Sequence, residues 1–416
     1  MTQSEPIAVE TLIIGAGAAG IMAAISACER GAKSVVVLEA GERPARKILI
    51  SGNGRCNLTN VDADQPRHYH STQPRFPRPA LASYTVEETL QFFHDLGVVT
   101  RVEKRGRFFP VSDQAQSIID LLIDQMQILG GQLALSARAE KLRAREGGGF
   151  DVVCTDGRAW LAETVIVSTG GVSVPKLGAN DSGMGLCEGF GHQRTPLYPG
   201  LVPLESDDQT ARRMQGVRLW ARVAAEGPNG RRIEDTDDLL FTRYGVSGFT
   251  ILNLSARIVP WLATGPKQLH ISLLPESTAE QAAELLRCRW QRHPHRSLGL
   301  SLAGLLHGKV ARPLLDSLGL SWESKVSQIA KKDCWALAQR LTDWSVTVTD
   351  AHSFDHAEVT IGGIRTDEVD PHTLESYLVP GLYLAGEVLD VHGDLGGYNF
   401  QWAWASGRVA GERRGN

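Results

Sequence analysis

Apolar residues in the first 40 positions form two short runs that flank a segment with helical spacing. Residues 10–14 and 35–38 are almost continuously apolar, which predicts two short buried strands. Between them, residues 21–29 are small and apolar with helical spacing, and Gly31 ends this predicted helix. The pattern therefore predicts a unit of strand, helix and strand with a parallel strand pair.

The rest of the pattern falls into two blocks. Predicted helices cover residues 85–96, 112–129, 277–290, 298–341 and 398–411, and predicted strands cover 132–142, 150–155, 164–168, 217–224, 239–252, 358–361 and 381–385. Pro196, Pro199 and Pro203 mark a change of texture, and strand patterning returns near Val346. We therefore expect the middle third to be inserted into an α/β domain that contains both ends of the chain.

Composition adds few constraints on function. The 416 residues are 42% hydrophobic and 22% charged, which suits two or three folded domains. The net charge of −4 gives no overall attraction to nucleic acids or anionic membranes. Local basic clusters are interpreted as solvated faces, with an RNA contact as the alternative. They comprise Arg101, Lys104, Arg105 and Arg107, and then Arg287, Arg289, Arg292 and Arg296.

The six cysteines lie far apart, without a C-x-x-C pair or a metal-ligand spacing to histidine. This disfavours disulfides and structural zinc, and predicts a reduced, cytoplasmic setting without a metal. The uncharged run over residues 11–28 is long enough to raise the question of a membrane span. Three glycines crowd its first half and no Lys or Arg precedes it, so neither a membrane segment nor a signal peptide is predicted.

A glycine fingerprint follows the first predicted strand. Gly15, Gly17 and Gly20 have the spacing G-x-G-x-x-G, and Glu39 ends the second strand. In this context the three glycines allow a tight turn, close approach of a pyrophosphate, and packing of helix against sheet. A carboxylate at Glu39 suits an adenosine ribose. NAD and FAD share the fingerprint, and a purely structural glycine turn is the remaining alternative.

Further glycine turns favour the longer cofactor. Thr169-Gly170-Gly171 and Gly386-Glu387 each follow an apolar strand, and strand carboxyl ends face the ligand crevice of open α/β sheets. The segment 396–399, of sequence GGYN, opens the last predicted helix, whose N–H groups suit the electron-rich end of a flavin. No second G-x-G-x-x-G follows, which argues against a separate nicotinamide-binding domain.

The segment 51–60, SGNGRCNLTN, combines two glycines with an arginine and polar residues. Gly52 and Gly54 suit positive φ or close approach to a ligand, Arg55 suggests an anion, and Asn57 supplies hydrogen bonds. Taken alone, the segment is also typical of an ordinary turn cluster.

Six segments together resemble the BaiN/RdsA-type flavoproteins, also described as aminoacetone-oxidase-like FAD-binding proteins. They are TLIIGAGAAG, KILISGNGRCNLTN, VIVSTGG, FTRYGVSG, EVTIGGI and GLYLAGEVLDVHGDLGGYNFQWAWASG. The resemblance runs nearly end to end. It implies an α/β fold, an FAD-binding two-dinucleotide-binding-type (Rossmann-like) domain with an inserted β-barrel-like plus helical domain. We expect the FAD domain at 1–195 and 352–416, and the insert at 196–351 with its helical part at about 276–342.

The resemblance also implies which residues bind non-covalent FAD. The ADP half is assigned to Gly15, Gly17, Ala18, Ala19, Gly20, Glu39 and Ala40, with Ala139 on the adenine side where a larger Val is common. The pyrophosphate and flavin are assigned to Lys47, Ser51, Gly52, Gly54, Arg55, Cys56, Asn57, Thr169, Gly170 and Gly171. The ribityl chain and ring are assigned to Gly386, Glu387, Asp390, Gly396, Gly397, Tyr398 and Asn399.

Two residues are candidates for catalysis. Cys56 is interpreted as a proton donor or redox-sensitive thiol, activated by Arg55 and Lys47, or else as a small packing residue. His392, with Asp390 and Asp394, is interpreted as a proton shuttle or as part of a polar loop that holds its own hydrogen bonds. Tyr398 is expected to stack, with a hydrogen bond to substrate as the alternative.

The resulting hypothesis is an FAD-dependent oxidoreductase that transfers hydride through flavin N5 to or from a substrate between the FAD domain and the insert. NAD(P)H is the expected electron donor and a small molecule the expected substrate. The family resemblance leaves open uridine reduction in ribosomal RNA, bile-acid alkene reduction and amino-ketone oxidation. A non-catalytic flavin redox sensor and an NAD-dependent dehydrogenase are the alternatives of other classes.

Overall fold

The computed structural model describes residues 5–412, with the exception of the side chain of Asn229. It divides into two compact units, Met1–Tyr198 with Val359–Asn416, and Pro199–Glu358. The helices are α1 Ala18–Glu29, α2 Arg46–Ile50, α3 Pro77–Ser83, α4 Val86–Asp95, α5 Ala115–Ile128, α6 Ser182–Glu188, α7 Gln209–Arg213, α8 Phe249–Leu262, α9 Ala279–Arg292, α10 Leu298–Ser301, α11 Gly308–Ser317, α12 Lys331–Thr342 and α13 Tyr398–Gly411. The strands are β1 Ile7–Ile14, β2 Val35–Leu38, β3 Thr59–Asn60, β4 Tyr69–His70, β5 Thr100–Val102, β6 Arg107–Pro110, β7 Gln132–Ala134, β8 Ala139–Ala144, β9 Phe150–Cys154, β10 Ala159–Val167, β11 Tyr198–Gly200, β12 Leu204–Glu205, β13 Arg218–Glu226, β14 Arg232–Phe241, β15 Gly245–Ser247, β16 Lys267–Ser272, β17 Trp344–Val348, β18 Asp350–Ala351, β19 Val359–Ile361, β20 Leu382–Leu384 and β21 His392–Gly393.

The first unit is built on a largely parallel sheet of order β7-β2-β1-β10-β9-β8, with β20 beside β10. Thr11 of β1 pairs with Val35 of β2 on one side and with Thr164 of β10 on the other, both in parallel register. The strands β8 and β9 form an antiparallel hairpin at one edge. This sheet confirms the predicted α/β class with a Rossmann-type unit.

The two ends of the chain meet beside this sheet. Helix α1, which follows β1, packs along α13, the last helix. A Cβ on Gly407 would lie 2.3 Å from the carbonyl oxygen of Ala19, and one on Gly411 equally close to that of Ala23. Small residues therefore allow the two backbones to approach closely, and the uncharged run over residues 11–28 is divided between β1 and α1 rather than forming one long helix.

Two small sheets lie outside the main sheet of the first unit. One has the order β3-β6-β5, and the other pairs β4 with β21 in antiparallel register. The second sheet joins Tyr69 and His70 to the glycine-rich segment that precedes α13. These small sheets fix the segments that surround the candidate site.

The second unit contains a seven-stranded sheet of order β17-β16-β13-β14-β15-β12-β18. Its inner face buries Phe241 against Trp344, with ring centroids 5.7 Å apart. The predicted strand over residues 239–252 is wrong in its second half, because α8 begins at Phe249. Gly248, with φ +94°, separates β15 from this helix, and a short apolar run did not distinguish a strand from a buried helix.

The helices α9 to α12 follow β16 and make up most of residues 279–342. Within residues 5–412, no helix is both long enough and apolar enough to cross a membrane.

Candidate functional site

The glycine fingerprint forms the turn between β1 and α1. Gly15 has φ +107°, and a Cβ there would lie 2.7 Å from the carbonyl oxygen of Ser168. A Cβ on Gly20 would lie 1.9 Å from the carbonyl oxygen of Gly15, so helix and turn are in direct contact. Gly17 is the N-cap residue of α1, and the space where its Cβ would lie is open. Because glycine has no side chain, no side-chain hydrogen bond caps the first N–H groups of this helix. The first N–H groups of α1 therefore face an open position suited to a phosphate.

Glu39 is held at the end of β2 by backbone donors. Its carboxylate accepts hydrogen bonds from the N–H of Ala16 (3.2 Å) and the N–H of Gly41 (2.7 Å). The N–H of Ala137 donates to the carbonyl of Glu39 at 2.7 Å, which brings the start of β8 beside this turn. Ala139, two residues further on, is buried, and Ala40 is exposed. The residues predicted for the adenosine end thus lie together at the end of β2.

The segment after α2 has an unusual backbone. Gly52, Asn53, Gly54 and Cys56 all have φ between +55° and +82°. A Cβ on Gly52 would lie 2.6 Å from the ring of Phe109, so glycine is required there by close packing as well as by φ. Four left-handed residues within five positions make a compact loop, which the N–H of Cys56 closes by donating to the carbonyl of Ser51.

Arg55 does not extend freely from this loop. Its guanidinium pairs with Glu103 at 2.8 Å and with Asp113 at 3.6 Å, and it lies 4.1 Å above the ring of Phe109. Arg55 stays a predicted cofactor contact, and its guanidinium already has two acidic partners. Arg101 shares the same two carboxylates, at 2.9 Å and 2.7 Å.

Lys47 joins three of the predicted cofactor segments. Its ammonium donates to the carboxylate of Glu387 at 2.7 Å and to the hydroxyl of Ser173 at 2.5 Å. Glu387 also accepts from the backbone N–H of Thr360 at 2.7 Å. The hydroxyl of Thr360 accepts from the N–H groups of Val172 and Ser173. This network ties α2 to the turns after β10 and β20.

The turn after β10 is close to the fingerprint. The N–H of Ser168 donates to the carbonyl of Ile14, and Gly170 has φ +76° with open space at its Cβ position. A Cβ on Gly171 would collide with Thr360 at 2.3 Å, so this glycine packs against the network. Because β1, β2, β10 and β20 run parallel, the turns that follow them share one edge of the sheet.

Two buried side-chain oxygen atoms of the candidate site have no hydrogen-bond partner within the described residues. Among residues 5–412, Asn57 Oδ1 and Thr169 Oγ1 are buried and have no hydrogen-bond partner. Buried polar atoms are usually satisfied, and a ligand with many polar groups would satisfy these two. Together with the open position at Gly17, they show that the residues present fit a long, polar, phosphate-bearing molecule such as FAD.

The turn before α13 is fixed by close packing. Gly396 and Gly397 have φ +131° and +111°, and a Cβ on Gly397 would lie 2.6 Å from the backbone of Thr59. Asn60 donates to the carbonyl of Gly396 at 2.9 Å. The Asn399 side chain bonds both the N–H and the carbonyl of Gly393, so Asn399 orders the preceding loop.

Indole and hydroxyl groups of α13 hold its neighbours in place. Trp402 donates to the carbonyl of Gly386, and Ser406 accepts from the N–H of the same residue. Trp404 donates to the carbonyl of Leu58. The final helix thus positions both the turn after β20 and the segment around Asn57.

The remaining predicted residues lie within this arrangement. Ser51 donates to the carbonyl of Ile48 at 2.8 Å. Asp390 is buried and accepts from the N–H and hydroxyl of Thr72, and burial raises its pKa. Ala18 and Ala19 are in the first turn of α1, and Ala19 contacts both Gly386 and Gly407.

The two catalytic candidates are both buried. Burial raises the pKa of the Cys56 thiol to about 12, so the thiol is neutral near pH 7. The interpretation of Cys56 as an activated thiolate is therefore corrected, since Arg55 pairs with acids and Lys47 pairs with Glu387. His392 lies in β21, opposite His70 of β4, with ring centroids 5.3 Å apart.

Sequence reasoning missed a cluster of titratable side chains beside Tyr398. His68 lies between Asp62 and Asp394, with one ring nitrogen 2.9 Å from each carboxylate. The ring of Tyr398 stacks on His68, with ring centroids 4.3 Å apart. The triplet HYH at residues 68–70 is the one sequence signal that pointed to this cluster.

Comparisons with known proteins agree with this geometry. The family described as HI0933-like protein Rossmann domain matches residues 9–413. The chain is 37% identical to a 3-dehydro-bile acid delta(4,6)-reductase of Clostridium scindens over 403 residues, which covers 96% of this chain and 97% of the relative.

Two ribosomal RNA dihydrouridine synthases are also similar. The protein from Escherichia coli is 36% identical over 401 residues, covering 95% of this chain and 96% of the relative. The protein from Haemophilus influenzae is 34% identical over 402 residues, with the same coverage. These matches confirm the resemblance drawn from the six sequence segments.

Proposed function

We propose a function for this chain, which belongs to the HI0933-like Rossmann-domain family. The proposed function is that of an FAD-dependent oxidoreductase that adds hydrogen across a carbon–carbon double bond conjugated with a carbonyl group. The single observation that carries the proposal is the meeting of four turns at one sheet edge, those after β1, β2, β10 and β20. Such an edge accommodates one extended dinucleotide.

The substrate class comes from the relatives. A delta(4,6)-reductase and a dihydrouridine synthase both add two hydrogens across a double bond. Addition of hydride to such a bond is favoured when a conjugated carbonyl group accepts the developing charge. We therefore infer an activated alkene as the shared chemical feature of the substrate.

The chain's own residues are assigned to holding the cofactor. The N-terminus of α1 receives the pyrophosphate, Glu39 the adenosine ribose, and Asn57 and Thr169 the polar groups that their buried oxygens face. When bound, FAD supplies hydride through its N5 atom. The salt bridge between Lys47 and Glu387 keeps the surrounding turns in place.

NAD(P)H is the proposed electron donor. The absence of a second G-x-G-x-x-G in the sequence suits a donor that visits the same site as the substrate and then leaves. Alternating use of one site predicts ping-pong kinetics.

An anaerobic experiment with the purified holoprotein tests this proposal. NADH or NADPH is expected to bleach the flavin absorbance, and 2-cyclohexen-1-one is expected to restore it while forming the saturated ketone, which mass spectrometry detects. A flavin that neither nucleotide bleaches would remove the proposed donor, and a reduced flavin that no activated alkene reoxidises would contradict the substrate class.

Uridine in ribosomal RNA is the second candidate substrate, favoured by the two dihydrouridine synthases among the relatives. The two basic clusters have less positive charge available for RNA phosphates than the sequence suggests. Arg101 pairs with Glu103 and Asp113, and Arg287 pairs with Glu284. Binding of rRNA fragments that weakens steeply with salt, with loss of dihydrouridine from the rRNA of a deletion strain, would favour RNA. Failure to bind at low salt would favour the small molecule.

A further inference from the structure

A continuous chain of hydrogen bonds runs through the cluster beside Tyr398. The Tyr398 hydroxyl donates to Asp62 Oδ1 at 3.0 Å, and Asp62 Oδ2 lies 2.9 Å from His68 Nε2. His68 Nδ1 lies 2.9 Å from Asp394 Oδ2, and Asp394 Oδ1 lies 2.8 Å from His70 Nε2. We call Asp62, His68, His70, Asp394 and Tyr398 the relay cluster.

The relay cluster joins distant parts of the first unit. Asp62 follows β3, His68 and His70 come from the turn and strand at β4, and Asp394 and Tyr398 flank the Gly396-Gly397 turn. The N–H of Asp394 also donates to the carbonyl of His68 at 2.9 Å. The cluster is therefore built by three separate segments around the turn assigned to the flavin end of the cofactor.

The relay cluster is sheltered yet connected to solvent. The side chains of Asp62 and Asp394 are 25% exposed and that of His68 is 18% exposed. Arg67, whose side chain is 64% exposed, pairs with Asp62 at 2.7 Å at the outer end. A proton can thus enter from solvent at Asp62 and His68, while the ring of Tyr398 remains packed on His68.

Charges around His68 favour its doubly protonated form. Burial lowers the pKa of His68, but the hydrogen bonds that its ring donates to Asp394 and Asp62 outweigh burial, so the pKa is raised overall. The histidines in turn hold the pKa of Asp394 at about 2 despite its burial. Arg67 opposes protonation from one side, and His70 and Tyr398 complete the titratable groups that face the ring.

Two other donors of the candidate site are buried or already paired. The Cys56 thiol is neutral and buried, and Lys47 donates to Glu387 and Ser173. The addition of hydrogen across a double bond requires one proton for each hydride. The proposed reaction therefore needs a proton source beside the Gly396-Gly397 turn.

We propose that the relay cluster supplies this proton, with His68 as the store and Tyr398 as the group that passes it to the substrate; this rests on the proposed function. One alkene carbon accepts hydride, with its two electrons, from the reduced flavin, which is thereby oxidised. The neighbouring carbon forms its new C–H bond with the proton from the Tyr398 hydroxyl, and the double bond becomes a single bond. The hydroxyl is restored by His68 through Asp62, and His68 regains its proton from solvent.

His68 and its two carboxylates are positioning residues in this scheme, and Tyr398 is the catalytic residue. The tests use the holoprotein with His68→Gln and Tyr398→Phe, and His94→Gln as a matched control. His94 is an exposed histidine of α4 outside the cluster. Melting temperatures verify that each variant is folded.

The first measurement is imidazole NMR of the ¹⁵N-histidine-labelled protein. The His68 ring is expected to stay doubly protonated above about pH 6.5, the ordinary value for histidine, and to lose this property in Asp62→Asn. A His68 ring that loses its second proton at or below about pH 6.5 would overturn the proposal regardless of any activity.

The second measurement separates the two half-reactions by stopped-flow. In His68→Gln, whose residue is not assigned to the cofactor, flavin reduction by NAD(P)H is expected to stay within roughly twofold of wild type. In His68→Gln and Tyr398→Phe, reoxidation by 2-cyclohexen-1-one is expected to slow about a hundredfold, the lower end of general acid catalysis, with loss of its dependence on pH between neutral and alkaline conditions.

The outcomes are distinguishable. Equal slowing of both half-reactions, or no slowing of reoxidation, would overturn the role of the relay cluster while the proposed function stands. A wild-type holoprotein that NAD(P)H reduces but no activated alkene reoxidises would instead overturn the proposed function, and proton delivery to an alkene with it.

Discussion

Burial decides the chemistry of Cys56 at the scale of single residues. Its sulfur lies inside the segment 51–60 with no exposed surface, and its pKa is raised to about 12. A thiolate reacts faster than a thiol, so a neutral buried cysteine is protected twice. The backbone of Cys56 has φ +63°, which the conformation of the loop requires. This backbone requirement is separate from the thiol reactivity predicted from the sequence.

Alkylation tests this protection. Native protein treated with iodoacetamide near pH 7.5 is expected to be modified first at Cys288, which is exposed, and to remain unmodified at Cys56 until it unfolds. Mass spectrometry of the digested protein locates the label. Rapid modification of Cys56 in the native state would show a reactive thiol and restore the thiolate interpretation.

The relay cluster predicts a specific dependence of stability on pH. Because the folded pKa of His68 is raised, its contribution is complete below about pH 6.5, its unfolded value, and is lost as the pH rises through the folded value. Because the folded pKa of Asp394 is about 2, its contribution is complete above about pH 4 and is lost as the pH falls toward 2.

The difference in melting temperature between wild type and His68→Gln is therefore expected to be largest between about pH 4.5 and 6.5 and to shrink as the pH rises through the raised folded value. The same measurement on His94→Gln should give a small and flat difference. If the His68→Gln difference is constant from pH 5 to pH 9, His68 carries no extra proton in the folded state.

At the scale of elements, contact between α1 and α13 depends on glycine. A methyl group at Gly407 would meet the Ala19 carbonyl at 2.3 Å, which is backbone and cannot rotate away. Gly407→Ala is expected to destabilise the protein by about 1–3 kcal/mol, the usual cost of overpacking. Urea denaturation measures the free energy of unfolding.

Gly185→Ala is the matched control for this substitution. Gly185 lies in α6, and its Cβ position is open. The change is expected to stabilise the protein by about 0.5–1 kcal/mol, because alanine loses less chain entropy in a helix. Equal effects of the two substitutions would show that α1 and α13 are not in close contact.

The Lys47–Glu387 salt bridge makes a prediction for the turns that it joins. Lys47→Met leaves a half-buried carboxylate without its cation, whereas Lys47→Arg keeps the charge. Lys47→Met is expected to weaken FAD binding at least roughly tenfold, with Lys47→Arg in between, since breaking one partner of a sheltered pair costs a few kcal/mol. Fluorescence titration of apoprotein with FAD measures this, and an unchanged affinity in Lys47→Met would show that the salt bridge does not organise the site.

Elements with an unambiguous local pattern could be predicted from the sequence. The unit β1-α1-β2 has two pure apolar runs, a glycine fingerprint and a helix of small residues, and each feature points to the same structure. Residues 249–262 lack this agreement, because an apolar run that begins after Gly248 suits either a strand or a buried helix. Only tertiary packing resolves such a segment.

The candidate site divides in the same way. Glycine positions report on backbone conformation, and the structure places those at Gly15, Gly52, Gly170 and Gly397 in left-handed turns around one edge of the sheet. Partners of charged side chains depend on contacts distant in sequence. Arg55 meets Glu103, and His68 meets Asp394, 326 residues away, so neither pairing has a local signature.

At the scale of the whole molecule, charge does not favour RNA over a small neutral or anionic substrate. The net charge is −4, and arginines of both basic clusters are paired with carboxylates. The family match extends over nearly the whole chain, and relatives acting on a bile acid and on ribosomal RNA are about equally similar to it. Overall sequence similarity therefore does not choose between the two substrate classes.

The central claim is that segments far apart in sequence converge on one FAD molecule. Hydrogen–deuterium exchange of the apoprotein with and without FAD tests it directly. FAD is expected to protect residues 15–20, 47–57, 168–173 and 386–399 together, at the same FAD concentration. Protection confined to the first of these segments would mean that only the adenosine end binds as described, and would contradict the account.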